Sequence, residues 1–335
     1  MRYKQILLKP FNNKVFYKNN IFKIDNGNNI FYRMKEKLQK IELKIDTVDI
    51  KISDPTSKYI YCDAPYIWEV KLWINLVSHI DKNILFCFES PIVNPFSHST
   101  ILHPLFKRVY TWNDKIVDNK KRFKFYIPQL NKGAIIKPLE FENKKFLVAV
   151  FSNKKVNKVL SFFSPYKKEL YGERLMAIRY FGRKIPDRFS LYGRGWNKFG
   201  FQRRRIRRGV TDYLSCYKGE VHNKLKLLSR FKYCLAFENC EAPGYITEKI
   251  FDCFKSGCVP IYLGAINIQE YIPRGSFVNA REFDTYESLL KFLLSINEKR
   301  YEAYLNEGRT FLNSMKTQNL WFEDAFKQVF LESVS

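Results

Sequence analysis

Polar residues cluster within twelve positions of this chain, where a short apolar run gives way to a helical one, among them Glu238, Asn239, Tyr245, Thr247, Glu248 and Lys249. They sit in FKYCLAFENCEAPGYITEKIFDCFKSGCVPIYLG, residues 231–264. A lysine in the first turn of a helix, with the free backbone N–H groups there, can face an anion such as a pyrophosphate. Thr247 reads as the N-cap. Blander readings stand beside these. Lys249 can be a surface lysine pairing with a neighbouring acid, Glu248 can serve only to complement the helix dipole, Tyr245 can be a packed loop aromatic, and Glu238 reads as a strand-end cap. A second candidate lies upstream. Glu89 follows the apolar run Ile84–Phe88 and precedes Ser90-Pro91. A partly desolvated carboxylate at the end of a buried strand has a raised pKa, which suits a general base; alternatively it caps loop amides. The four histidines (79, 98, 103, 222) show no ligand spacing, although His98 and His103 are placed to line a groove near Glu89.

These residues need elements to hold them. Tyr233–Phe237 and Val259–Leu263 read as buried parallel strands, joined by a loop with Pro243 and Gly244 and a helix over about Glu248–Ser256 that ends at Gly257. That is one strand–loop–helix–strand unit, and open α/β sheets bind ligands at the edge where its polar residues cluster. The same alternation recurs upstream, with strands at Tyr59–Cys62, Ile84–Phe88 and Val109–Trp112 and a helix over about Tyr66–Val77. Asn119–Lys124 reads as a basic polar stretch and Gln129–Lys137 as a loop. Further on come a strand at Phe146–Phe151, a helix over about Glu173–Phe181, a strand at Phe189–Tyr192 and a helix over about Lys224–Ser229. From Tyr286 the pattern is helical to the end. Phe311, Met315, Trp321, Phe322, Phe326 and Phe330 are too apolar for a solvated tail and predict a terminal helix packing back on the body.

The chain has 335 residues, enough for two α/β domains, with 46% hydrophobic and 17% aromatic residues to fill their cores. No segment reaches the roughly 18 uninterrupted apolar residues of a membrane span, and the start MRYKQILLKP does not read as a signal peptide. The expectation is a cytoplasmic protein. Seven cysteines, mostly within apolar runs, read as reduced core residues rather than a disulfide framework or zinc site. The net charge of +25 points to an anionic partner: a membrane face, a phosphorylated substrate or nucleic acid. Its densest cluster is Arg203–Arg208. No nucleic-acid-binding motif accompanies it.

The segment FENCEAPGYITEKIFDCFKSGCVPIYLG, followed by YIPRGSFVNAREF, resembles the signature of the α-1,3-fucosyltransferases, glycosyltransferase family 10, in a bacterial-type form. FSN at 151–153, ELYGERLMAIRYFGRK at 169–184, FSLYGRGW at 189–196 and YKGEVHNKLKLLSRFKY at 217–233 extend the resemblance, and LFCFESP at 85–91 is similar to the family's ESP segment. The resemblance implies an α/β GT-B fold: two Rossmann-like domains facing a central cleft, with C-terminal helices packing back on the body. The expected divisions are 1–143 for the acceptor, 144–310 for GDP-fucose and 311–335 for the C-terminal helix. It implies an inverting enzyme that moves L-fucose from GDP-fucose to a glycan acceptor, at O3 of N-acetylglucosamine on a chain such as lipopolysaccharide. Glu89 matches the proposed base. Glu248 is expected to hold donor hydroxyls, Asn239 and Tyr245 the ribose, and Lys249 the pyrophosphate. Arg174 matches the phosphate-contacting arginine, although LSFFSPYK lies inserted between it and Asn153 and Arg179 competes for the role.

Many sugar-nucleotide transferases offset diphosphate charge with a metal held by Asp-x-Asp. This chain has no Asp-x-Asp, so cations and a helix N-terminus are expected to act instead, with no cofactor and no metal. The expected partners are GDP-fucose and a glycan acceptor that can be lipid-linked, with peripheral contact at the anionic inner membrane face and no nucleic acid. Two alternatives remain: a GT-B transferase using another GDP-sugar, and a basic polyanion-binding protein.

Overall fold

A computed structural model describes residues 5–11, 14–23, 30–50, 56–129, 136, 139–166, 168–196 and 215–334. The cluster Arg203–Arg208 and all but Gln129 and Ile136 of the 129–137 loop lie outside them. The chain forms two compact units, Met1–Asn131 with Asn157–Lys167 and Met315–Ser335, and Lys132–Val156 with Lys168–Ser314.

In the first unit, β1 (Gln5–Lys9), α1 (Ile30–Gln39), β2 (Lys44–Thr47), β3 (Ser57–Cys62), α2 (Val70–Ser78), β4 (Asn83–Phe86), β5 (Arg108–Thr111) and β6 (Arg122–Lys124) succeed one another. The six strands pair in parallel in the order β2-β1-β3-β4-β5-β6. Strand side chains alternate between faces. Ile6, Leu8, Ile60, Ile84 and Phe86 enter one core with α1, while Leu7, Tyr59, Tyr61, Leu85 and Val109 enter another with Leu76 of α2. A short helix, α3 (Lys158–Phe163), adds Leu160 to that second core.

The second unit holds β7 (Lys145–Val150), α4 (Tyr171–Lys184), β8 (Phe189–Tyr192), α5 (Lys224–Leu228), β9 (Phe231–Phe237), α6 (Glu248–Ser256), β10 (Val259–Leu263), β11 (Val278–Asn279), α7 (Tyr286–Ser295) and α8 (Glu298–Asn313). Its parallel sheet runs β11-β10-β9-β7-β8, with Leu235 of β9 between Ala149 and Ile261. Leu147, Leu235 and Ile261 pack with Ile178 and Phe181 of α4 and Leu289 and Leu293 of α7. Helix α6 stops at Gly257, whose φ of 63° is a left-handed cap that favours glycine.

The chain then returns to the first unit through α9 (Met315–Trp321) and α10 (Glu323–Val334). Phe326, Phe330 and Val334 lie in the core with α1, and Phe330 stacks over Phe86 at 6.1 Å. Trp321 and Phe322 are also buried. Met315 is not: it is 72% exposed. Phe311 belongs to α8 of the second unit, against Phe251 and Phe254. The first division therefore falls at 131, not 143, and LSFFSPYK is an excursion of the chain into the first unit. Tyr166 Oη of that excursion donates to Asn113 Oδ1 at 2.8 Å, and Phe163 packs on Phe96 at 5.9 Å. All seven cysteines are buried free thiols.

Candidate functional site in the second unit and the Glu89 loop in the first

At the carboxyl end of β9 the backbone turns from Phe237 through Glu238 and Asn239. Glu238 is fully buried. Its carboxylate accepts from Thr247 N, from Thr247 Oγ1 and from Lys249 Nζ, each at 2.9 Å. Thr247 therefore occupies the N-cap position without capping; its hydroxyl serves Glu238, and no side chain caps α6. Charged-group hydrogen bonds outcompete neutral ones, which is why Thr247 is diverted. A Cβ on Gly264 would come 2.5 Å from Cγ of Glu238, so the glycine that ends the β10 segment makes room for the buried acid.

Lys249 is thus paired with an acid, but a buried one on the neighbouring strand end. Two of its three N–H donors go to Glu238 and Thr247 Oγ1. Its Nζ lies 3.6 Å from Glu248 Oε1. Glu248 is exposed, at the start of α6. Against some crowding at the turn, Lys249, Lys224, its own backbone N–H and Thr247 hold its carboxyl below the usual carboxylate range, and more than half of its side chain stays in solvent. Lys224 of α5 is itself anchored to Asp252 at 2.9 Å.

Arg174, in the first turns of α4, is buried against this turn. Nε and Nη2 donate to Phe237 O at 3.2 and 2.6 Å, and Nη2 donates to Asn239 Oδ1 at 2.9 Å. The guanidinium packs over Phe151 and Tyr171 at 4.9 and 5.1 Å. Burial lowers its pKa, while Tyr171, Glu238, Tyr245 and Glu248 oppose that; an arginine stays charged regardless. Its Nη1 makes no hydrogen bond among the described residues. Arg179 is exposed one turn further along α4. The insertion therefore does not displace Arg174, because the chain re-enters the second unit just before α4, where Leu170 N donates to Asn239 O at 2.9 Å. Asn239 Nδ2 reaches Tyr245 Oη at 3.4 Å, and Tyr245 is buried.

The structure thus brings Arg174, Asn239, Tyr245, Glu248 and Lys249 together at one sheet edge. Sequence reasoning passed over Arg281, within the NAREF stretch. It donates to Glu241 Oε1 at 2.8 Å and to Gly264 O at 3.0 Å, beside a cavity of about 230 Å³ that Phe237, Leu263 and Tyr286 also line. Among the described residues no group of three or more His, Cys, Asp or Glu side chains could hold a metal ion.

Glu89 lies in the first unit, half-buried and three residues beyond the end of β4, which stops at Phe86 rather than Phe88. Its backbone is fixed by a residue that no motif or spacing singles out. Asp63, buried after β3 at a φ of 65°, accepts from Phe88 N at 2.9 Å, Glu89 N at 3.1 Å and Ser97 Oγ at 3.2 Å. Burial pushes Asp63 up to about 6, against the pull of the buried ammonium of Lys9 and those three donors. His98 Nε2 lies 2.9 Å from Glu89 O, and burial drops this imidazole to about 4. His103 Nε2 is 3.0 Å from Ser97 O. Both histidines are buried, so they brace the loop and do not line a groove.

Comparison with known proteins gives this geometry a context. The family model described as "Glycosyltransferase family 10 (fucosyltransferase) C-term" matches residues 153–328. A mouse (Mus musculus) protein, "4-galactosyl-N-acetylglucosaminide 3-alpha-L-fucosyltransferase 9", is 37% identical over 93 residues, 27% of this chain and 26% of that protein. The Helicobacter pylori "Alpha-(1,3)-fucosyltransferase FucT" is 32% identical over 124 residues, 34% of this chain and 25% of that protein. The matched segments therefore span about a quarter of each relative. Over nearly the whole chain, a crystal structure of an alpha1,3-fucosyltransferase superposes with a TM-score of 0.60 at 17% identity, covering 98% of this chain and 89% of that one. A structure of an alpha1,3-fucosyltransferase with GDP-fucose gives 0.57 at 17% identity, covering 99% and 90%. At such identities the likeness is one of fold: two parallel-sheet α/β units of the GT-B class. With more than half its residues matched by the family model, and the matched stretch holding the Arg174–Lys249 cluster, the chain belongs to glycosyltransferase family 10, the fucosyltransferases.

Proposed function

We propose that this protein is an inverting α-1,3-fucosyltransferase that moves L-fucose from GDP-fucose to a glycan hydroxyl. The observation that carries the reading is the convergence of Arg174, Lys249 and the uncapped start of α6 beside Asn239, Tyr245 and Glu248. Cations and free N–H groups in that arrangement suit a diphosphate. Asn239 and Tyr245 take the ribose, and the ionised Glu248 takes donor hydroxyls. The second unit binds the donor and the first binds the acceptor. Glu89 accepts the proton of the attacking hydroxyl. The freed oxygen bonds to the anomeric carbon from the face opposite the diphosphate, the bond to the diphosphate oxygen breaks, and GDP leaves with that electron pair. Lys249 and Arg174 meet the charge it gains, and no divalent ion is required. The acceptor position is O3 of N-acetylglucosamine on a lipid-linked surface glycan, in the cytoplasm at the anionic inner membrane face. The name of the mouse relative, an N-acetylglucosaminide 3-alpha-L-fucosyltransferase, supports the acceptor sugar.

Thermal unfolding with nucleotides tests the donor. GDP and GDP-fucose at ~100 times their dissociation constants should stabilise the fold by about 2.7 kcal/mol, and the gain should persist in excess EDTA. UDP should give no comparable gain, and GDP-mannose should compete weakly with GDP-fucose. Equal stabilisation by UDP overturns the guanine assignment, and loss of the gain in EDTA overturns the metal-free site.

A further inference from the structure

Six of the eighteen large apolar side chains exposed among the described residues fall in one stretch of the first unit: Ile67, Trp68, Val70, Ile74, Val77 and Ile80. Scattered exposed apolar residues need no explanation, but a contiguous cluster does. Helix α2 shows how it arises. Leu76 is buried and Leu72 and Trp73 pack toward the core beneath it. Val70, Ile74 and Val77, at i, i+4 and i+7, occupy an arc of about 60° on the opposite side. Ile74 is 62% exposed and Trp68 58%.

The approach to the helix is rigid. Tyr66 N donates to Glu69 Oε2 at 2.7 Å, Trp73 Nε1 donates to Tyr66 O at 2.9 Å, and the Tyr66 ring stacks on Trp68 at 4.6 Å. Trp68 is therefore held out, not collapsed inward. Beside it runs a mainly apolar groove of about 860 Å³, lined among others by Tyr17, Val48 and Leu72, with Lys14 and Lys71 also on its walls. The two acids on those walls each accept from a backbone N–H: Glu69 from Tyr66 N, and Asp49, itself exposed, from Lys18 N at 2.8 Å. The groove walls thus carry two lysines and two acids, and the positive charge offered to an anionic surface is that of the chain as a whole.

We propose that the α2 face is the membrane-docking surface of this protein, seating on anionic lipid with Trp68, Val70, Ile74 and Val77 at the acyl boundary and Lys14 and Lys71 at the headgroups. An apolar stripe with an interfacial tryptophan and flanking lysines is the pattern of in-plane binding. The chain's +25 charge complements an anionic leaflet. A glycan would leave its hydroxyls facing the apolar wall of this groove. The inference rests on the membrane contact named in the proposed function and gives it an address. The terminal helix offers no such face, since Phe326, Phe330 and Val334 of α10 lie in the first unit's core.

Vesicle flotation of the full chain reads the surface without reference to sugar transfer, so the two can fail separately. The wild type should float with phosphatidylglycerol–phosphatidylcholine vesicles and poorly with phosphatidylcholine alone. Ile74→Glu with Val77→Glu should cut partitioning by about a hundredfold, since each loses an apolar burial worth a decade or so. Trp68→Ala should cut it several-fold without adding charge, which covers the case of a poorly folded double variant. Leu294→Glu with Met315→Glu makes the same charge change at exposed apolar sites off this face, and should leave flotation near wild type. Equal losses from the two glutamate pairs overturn the assignment. So does wild-type flotation of Trp68→Ala, or a wild-type dimer in gel filtration that the α2 pair turns into monomer, which would make the occupant a second copy.

Discussion

Glu89→Gln should slow fucosyl transfer by roughly 10²–10⁴-fold, the worth of a positioned general base, and leave GDP affinity unchanged. The substitution is close to isosteric. The loop should keep its place, because Asp63 grips the backbone N–H groups of Phe88 and Glu89 and His98 lies against the Glu89 carbonyl, none of which involves the side chain being changed. The measurement is initial rate with saturating GDP-fucose, beside titration calorimetry with GDP. A variant that transfers at near-normal rate ends the candidacy of Glu89 as base.

Lys249→Met should produce two separable losses. GDP affinity should fall by about 1.5–3 kcal/mol, the worth of a hydrogen bond to a charged group. The fold should also lose stability, because the substitution strands the fully buried Glu238 carboxylate, and breaking a buried pair by removing one partner costs about 3–5 kcal/mol. Glu238→Gln in the same chain removes the orphaned charge while keeping a partner for Thr247. Chemical denaturation should therefore show most of the stability restored in the double variant, while calorimetry shows GDP affinity still low. Normal GDP binding by either Lys249 variant would move the pyrophosphate away from α6. Recovery of affinity together with stability would make Lys249 a purely structural residue.

The unit around β9, α6 and β10 was legible because its signals agree. Apolar runs of strand length, a helix-starting threonine and a glycine at the stop all point one way, and α6 and β10 occupy the expected residues. What the sequence did not disclose is where the polar groups turn. Thr247 has the identity of a cap and the position of one, yet a buried carboxylate from another strand takes its hydroxyl. The earliest strands were missed for a different reason. QILLK at β1 offers three consecutive apolar residues and no alternation, yet it lies inside a sheet, buried on both faces between β2 and β3. β6 was read only as charge, since RFK is an edge strand with half-buried side chains. Asp63 carried no signal either: it braces Glu89 through backbone N–H groups that any sequence there would present.

The first unit's core is closed by the last helix of the chain. Phe326 and Phe330 pack with Phe86, Phe88 and Phe125, more than 200 positions later, and α3 adds another piece from between two segments of the second unit. A ribosome making this protein N-terminus first cannot complete the leading half first. The second unit is contained within Lys132–Ser314 and has all its strands and core helices before α9 emerges. The order of maturation thus runs against the order of synthesis. Through most of translation the aromatic underside of the six-stranded sheet waits with α1 but without α10 over it, a surface that a nascent-chain chaperone would be called on to shield.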